Sequence, residues 1–414
     1  MRAAASGGGR ASPPVGAVAE SSRVRRLDVE ERRARLGIRH RLARNPADGP
    51  VEVARDLVAL HATDPATVHL SAAARMREPD VAAVERALYE DRSLIRMLGM
   101  RRTMFVIPDE LAPAIQAACT GAIAARERAR LVKRLQDAGV AEDAGAWLAE
   151  VEEATLAALR ARGEAAAAEL SADEPRLRTS VLMAVGKPYA ARQNVSTWVL
   201  GQLSMDGRVV RGRPRGSWIS SQYRWSPVER WLPGGMPERD AAHAGAELVR
   251  RYLAAFGPVA VADIRWWTGW TARQVAPALA RLETAEVDLG GGVAGVLLAE
   301  DLEPVAAPEP WVALLPALDP TPMGWLERSW FLGDHGPPLF DRSGNIGPSV
   351  WADGRIVGGW AQRRDGEVAV RLLEDVEAGA RATIGAAAER LAAWLGDVRL
   401  MPRFRTPLER ELSG

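Results

Sequence analysis

One cysteine in 414 residues, Cys119, excludes an internal disulfide and any cysteine-built zinc site, and it fits a reducing cytoplasm. Lysine is almost absent: Lys133 and Lys187 are the only two, so nearly every cation is a guanidinium. The accompanying excess of alanine and glycine makes genome composition a sufficient cause, and the arginine bias by itself assigns no function. Net charge is only +1, so no global field draws the chain to a polyanion, and nucleic-acid binding would have to come from local patches. No apolar run reaches the roughly 18 residues needed to span a membrane. The phosphate-binding loop, G-x-S-x-G, H-E-x-x-H and cysteine clusters are all missing, which removes the strong nucleotide, serine-hydrolase and metal signatures. No cofactor and no metal are expected.

What is present is a globular composition, 47% hydrophobic and 26% charged, in a chain long enough for two to four domains. The Gly/Ser/Pro-rich start lacks the apolar stretch of a signal peptide, and about 25 residues read as a disordered tail. Residues 28–45 read as a basic amphipathic helix; from Arg23 to Arg44 there are nine arginines against Asp28, Glu30 and Glu31. A helix carrying Val53, Leu57, Val58 and Leu60 then runs into His61-Ala62-Thr63-Asp64-Pro65. A helix after Asp80 and a strand pair holding Arg101 and Arg102 complete a first unit, 26–145.

The order helix, short helix, helix, hairpin then recurs over 146–235 and again over 236–304. After Pro304 the pattern turns to short alternating strands with Asp353-Gly354 and Asp365-Gly366 turns. A final helix and a last strand at Val398–Met401 end this 305–414 domain. The expected fold is mainly α, of the α+β class: three tandem winged-helix units followed by a β-rich C-terminal domain.

The hairpin of the second unit is basic. Between Asp206 and Arg230 stand six arginines (208, 211, 213, 215, 224 and 230) against two acids, Asp206 and Glu229. A protruding hairpin tipped by Arg211, Arg213 and Arg215 suits phosphates or a narrow minor groove; the plain alternative is a solvated basic turn. Glu229 and Arg230 read as an internal ion pair or a helix start. The closely spaced Trp266, Trp267 and Trp270 read as core packing.

Among five histidines, His40, His243 and His335 have no partners at ligand spacing and read as surface or structural. His61 differs in context. It lies with Thr63 at the end of an apolar helix, before a proline-marked break and Asp64. A neutral imidazole can accept a proton from water and a threonine hydroxyl can orient it. The other use of such a residue is a partly buried histidine bonded to backbone.

The segments L-V-A-L-H-A-T-D-P-A-T-V-H-L-S-A-A-A-R, M-R-R-T-M-F-V-I-P, Y-R-W-S-P-V-E-R-W-L-P and L-L-P-A-L-D-P-T-P-M-G-W carry a resemblance. With them the chain resembles the AlkZ-like winged helix DNA-binding domain family of bacterial DNA glycosylases, from about residue 28 to 410. The resemblance implies excision of alkylated or bulky-adducted purines from double-stranded DNA, without metal or cofactor, in the cytoplasm near the nucleoid. The family carries Gln-x-Gln or Gln-x-Asp where this sequence has His61 and Thr63, residues that hold the hydrolytic water and stabilise the sugar cation. The implied catalytic set is therefore His61 and Thr63, with Asp64 as an electrostatic stabiliser. The implied DNA contacts are Arg101, Arg102, Arg211, Arg213 and Arg215. Three such units in one chain can wrap one duplex as a monomer, whereas a regulator of palindromic sites would dimerise. A non-catalytic DNA-binding regulator or damage sensor, and a protein-interaction scaffold, stay open as alternatives.

Overall fold

The structure, a computed structural model, describes residues 24–183, 186 and 190–414; most of the expected N-terminal tail lies outside the described residues. The fold is α+β, with helices interleaved with several small sheets.

In the first unit, Asp28, Asp64 and Asp80 each cap a helix. Their side chains accept backbone N–H groups at the starts of Val29–Arg39, Pro65–Ala73 and Val81–Tyr89. Between the helices Pro50–Asp56 and Pro65–Ala73 the chain departs from the sequence expectation. The helix stops before Leu57, Val58 takes a φ of 65°, and Leu60–His61 forms a short strand. That strand pairs antiparallel with Met104–Pro108, His61 opposite Phe105, and Leu94–Leu98 completes a three-stranded sheet. A continuous apolar run such as V-A-L does not separate helix from doubly buried strand, and pairing with 104–108 settles it here. His61 thus sits on a strand, not at a helix end.

Two elements between the first hairpin and the second were not expected from the sequence. A long helix, Gly121–Asp137, leads into Ala144–Arg162, and a strand pair, Ser180–Met183 with Ala191–Asn194, precedes the helix Val195–Met205. The stop at Gly163 is as expected, with φ at 73°. The hairpin Val209–Pro214 with Tyr223–Pro227 follows.

The third unit has helices Ala241–Phe256, Val261–Thr268 and Ala272–Leu279, then the hairpin Thr284–Asp288 with Ala294–Leu298. Arg25–Arg26 joins this hairpin as a parallel third strand, and helix Val29–Arg39 packs on Ala241–Phe256. The start of the first unit therefore shares its core with the third.

At the C-terminus four antiparallel strands, Val312–Leu315, Ser349–Ala352, Arg355–Gln362 and Val368–Leu372, are covered by the helix Ala378–Leu395. The strand expected at Val398–Met401 does not form. Gln362 occupies that backbone instead, donating to Val398 O at 3.0 Å and accepting from Leu400 N at 2.8 Å. A buried polar knot ties this domain to the helix after the His61 segment. Arg75 donates to both oxygens of Asp319 at 2.9 and 2.7 Å, and both side chains are fully buried. Arg75 also donates to the His40 carbonyl and to Thr321, while Thr321 meets His40 Nδ1 at 2.8 Å. His40 is thus structural, as its sequence context suggested. His243 pairs with Asp240 on the surface and His335 with Glu374.

Candidate active site

The strand Leu60–His61 and the cap residue Asp64 fix the four-residue segment His61–Asp64 from both ends. His61 is 6% exposed, its ring edge-on to Phe105 at 5.5 Å, with the Thr63 N–H directed at Nδ1 from 3.5 Å. Burial, then the charge of Arg101, pushes its imidazole down from 6.5 to about 3. The ring is neutral at any working pH. Thr63 is half-buried beside it.

Asp64 has a structural duty. One carboxylate oxygen accepts from Ala66 N at 3.0 Å and the other from Arg403 N at 2.9 Å. With both oxygens engaged by backbone N–H groups, it is a weaker stabiliser of a sugar cation than its place in the sequence suggested.

Arginines reach this segment directly or lie one aromatic ring away from those that do. Arg96, 2% exposed, donates from Nη1 to Ala62 O at 3.1 Å, and Arg403 donates to Thr63 O at 3.4 Å. The Tyr223 ring lies 4.8 Å from the Arg96 guanidinium and 5.5 Å from that of Arg211, which is also 5.6 Å from Trp225. Arg101 stacks on Trp266 at 3.9 Å, and Arg328 approaches the same ring at 4.8 Å. Burial first, opposed by neighbouring acids or reinforced by neighbouring cations, pushes both guanidiniums down to about 10. Arg101 and Arg102 hold φ values of 52° and 59°, a left-handed pair at the hairpin tip that costs on the order of 1 kcal/mol or more per residue. Gly269 allows the approach, since a Cβ there would sit 3.1 Å from Arg101 Cγ.

Of the arginines expected to face DNA, Arg101 acts on His61 through its charge, and Arg211 lies against Tyr223, the ring that also meets Arg96. The others are tied to acids on the rim. Arg102 pairs with Glu127 at 2.9 Å, Arg213 with Glu85 and Glu90 at 3.1 and 3.0 Å, and Arg215 with Glu169 at 3.5 Å. Glu229 pairs with Arg160, and Arg230 approaches Glu164, so neither is free. Residues missed in the sequence are Arg96, Arg328, Arg403 and Tyr223; Trp266, read as core packing, does pack partly buried against the core but also carries Arg101 and Arg328 on its ring. Arg96 did carry a signal: a charge in the middle of the apolar strand L-I-R-M-L is expensive unless it has a use. His69 was also missed; it is buried, its ring 4.9 Å from Trp218.

A cationic surface adjoins the motif. A cleft of about 660 Å³ is lined by Arg101, Arg102, Arg126, Arg130, Trp270 and Gln274, and Cys119 lies at its base with its thiol pushed up to about 12 by burial. A second cleft of about 930 Å³ shares Arg130 and adds Lys133, Arg134 and Arg192. Both follow the helix Gly121–Asp137. Among the described residues no cluster of three or more His, Cys, Asp or Glu side chains is arranged to hold a metal ion. No helix there is long and apolar enough to cross a membrane.

The family model described as "DNA glycosylase AlkZ-like" matches residues 54–394. The fold is similar to that of the Streptomyces sahachiroi DNA glycosylase AlkZ, with a TM-score of 0.69 at 21% identity, over 89% of this chain and 97% of that one. No curated protein matches. The family match runs from the helix before His61 to the helix that covers the C-terminal sheet, and on it the chain belongs to the AlkZ-like DNA glycosylases, hydrolases that remove damaged bases from DNA.

Proposed function

We propose that this glycosylase is monofunctional and uses His61 and Thr63 to hold the hydrolytic water. The observation that carries the reading is a neutral, nearly buried imidazole next to a threonine, at the positions that match the family's paired polar residues. With Nδ1 turned to the Thr63 N–H, the neutral ring offers its Nε2–H to the water, and the hydroxyl can fix a second bond. The water adds to C1′ of the damaged nucleotide as the glycosidic bond breaks. Asp64 serves mainly to fix the segment.

The architecture that goes with this reading is three winged-helix units, 26–145, 146–235 and 236–304, before a β-rich domain, 305–414, acting on duplex DNA as a monomer. The repeated order of helices and a closing hairpin supports it. Phosphate contacts are assigned chiefly to the helix Gly121–Asp137, through Arg126, Arg130, Lys133 and Arg134, because those side chains line open clefts. Their ion pairs to Glu127 and Asp137 are exposed and weak. Arg101 and Arg211 lie deeper, and Arg102, Arg213 and Arg215 form the rim. A location with the nucleoid follows from the substrate.

The test is base release from alkylated duplex DNA. His61→Ala slows release by on the order of 10²-fold or more with little change in DNA affinity, and Thr63→Val gives a smaller loss. Release by His61→Ala at the wild-type rate rejects this site. Absence of release by wild type from a broad lesion panel would favour a non-catalytic, DNA-binding role.

A further inference from the structure

The chain from Val398 to Thr406 is tied to the candidate motif and pinned at several points. Gln362 donates to Val398 O at 3.0 Å and accepts from Leu400 N at 2.8 Å. Arg399 donates to the carbonyls of Arg364, Asp365 and Gly396 at 3.1, 3.1 and 2.8 Å. Farther on, the Arg403 N–H donates to Asp64 Oδ2 at 2.9 Å, and its guanidinium donates to Thr63 O at 3.4 Å. Thr406, 1% exposed, then caps the last helix, Pro407–Ser413.

Between the anchors at Leu400 and Arg403 stand only Met401 and Pro402. Met401 is 82% exposed, more than any other large apolar side chain among the described residues. Isolated apolar side chains on a surface are ordinary. This one differs because the backbone is held on both sides of it and Pro402 restricts the next φ, so its exposure is imposed by the fold. The crevice beside it, lined in part by Asp64, Leu400, Met401 and Pro402, has a volume of about 30 Å³, room for little more than water. Met401 is therefore not a lid over a ligand pocket. The surroundings are cationic: the charge of Arg403 acts on Arg211 and, with that of Asp64, on Tyr223. Among the described residues Arg211 and Arg403 form no salt bridge, in contrast to Arg213 and Arg215, which do. A rigid apolar tip beside unpaired guanidiniums suits a DNA duplex, whose base steps admit apolar wedges and whose phosphates attract cations.

We propose that Met401 is a wedge that enters the duplex at or next to the damaged nucleotide and partly unstacks it, with Pro402 stiffening the tip and Arg403 directed at a flanking phosphate. The inference rests on His61–Asp64 being the reactive segment. The chain spans at most about 3.6 Å per residue, so the Met401 backbone lies within about 10 Å of the Asp64 carboxylate that holds Arg403. That distance covers about three base steps at roughly 3.4 Å each. Unstacking loosens the damaged nucleotide and turns its sugar toward the water held by His61 and Thr63. Met401 is a positioning residue; it takes no part in breaking the bond.

The experiment uses full-length protein and a duplex carrying 7-methylguanine on a 2′-fluoro sugar, which resists hydrolysis. The fluorescent base 2-aminopurine, bright when unstacked, is placed in turn at each of the three positions on either side of the lesion. Wild type should brighten one position. Met401→Ala should lose that signal with DNA affinity little changed, and Met401→Leu should restore it. On the ordinary sugar, Met401→Ala should slow base release at saturating enzyme by about tenfold or more, the scale of a lost contribution to unstacking. A lesion placed in a mispair, already poorly stacked, should recover most of that loss. The side chain is exposed, so the alanine variant keeps the fold, and an unchanged melting temperature checks this. No brightened position with wild type, equal brightening by Met401→Ala, or release by Met401→Ala at the wild-type rate overturns the inference. A loss of rate that a mispair does not relieve overturns it as well. The fluorescence reads binding alone, so these outcomes are separate from wild-type release by His61→Ala, which rejects the water-holding reading instead.

Discussion

The pH dependence of base release is the sharpest consequence of a buried, neutral His61. With its imidazole pushed down from 6.5 to about 3, the ring at pH 5 is roughly 99% neutral, whereas an ordinary imidazole would be only about 3% neutral. Release per folded molecule should therefore stay flat from pH 8 to pH 5, where an unperturbed histidine would give a fall of about 30-fold. His61→Ala lowers the whole profile without changing its shape. The assay is single-turnover base release from alkylated duplex DNA in buffers of constant ionic strength, normalised to the folded fraction at each pH. That normalisation matters, because His40, His61 and His69 are all pushed down to about 3, chiefly by burial. Below 6.5 the unfolded chain binds protons that the folded chain refuses. The stability these three histidines contribute is thus complete above 6.5 and is lost as pH falls toward 3. The slope is about 1.4 kcal/mol per pH unit for each, or about 4 kcal/mol for the three together. Melting temperature should drop on going from pH 7 to pH 5 while the normalised rate holds. A rate that falls with an apparent pKa near 6.5 would mean an imidazole open to water and would refute the reasoning.

Asp319→Ala leaves Arg75 charged and buried without its partner, and should destabilise the fold by about 3–5 kcal/mol, measured by urea unfolding; a loss under 1 kcal/mol would show that water or a neighbour compensates. Replacing Arg126, Arg130, Lys133 and Arg134 together by glutamine should weaken DNA binding and flatten the plot of log K against log salt by about one per lost phosphate contact. The Arg211, Arg213 and Arg215 triple alanine variant should flatten it less, since two of the three are already ion-paired; the opposite ranking would make the hairpin the main DNA-facing element. Dialysis against a chelator should leave base release unchanged, and loss restored by one stoichiometric metal would contradict a metal-free mechanism.

The residues alone determined the helical cap at Asp80, the stop at Gly163 and the hairpins that close the three units, because these depend on chemistry within a few positions. They also carried the family, through the segments that begin at Leu57, Met100, Tyr223 and Leu314. Only the tertiary structure decided that His61 is a strand residue, because the apolar run before it forms helix or strand according to what it pairs with. Likewise, Arg25–Arg26 completes a sheet more than 250 residues away, which no local pattern reports. The same holds for the charges. In the sequence Arg101, Arg211, Arg213 and Arg215 look alike, but the first two are desolvated beside aromatic rings and the last two are neutralised by Glu85, Glu90 and Glu169. Arg96 and Arg403 reach the His61 segment from positions 35 and 342 residues downstream of His61, so their convergence exists only once the chain has folded. Burial and pairing set what a guanidinium can do, and both are properties of neighbours that folding, not sequence order, supplies.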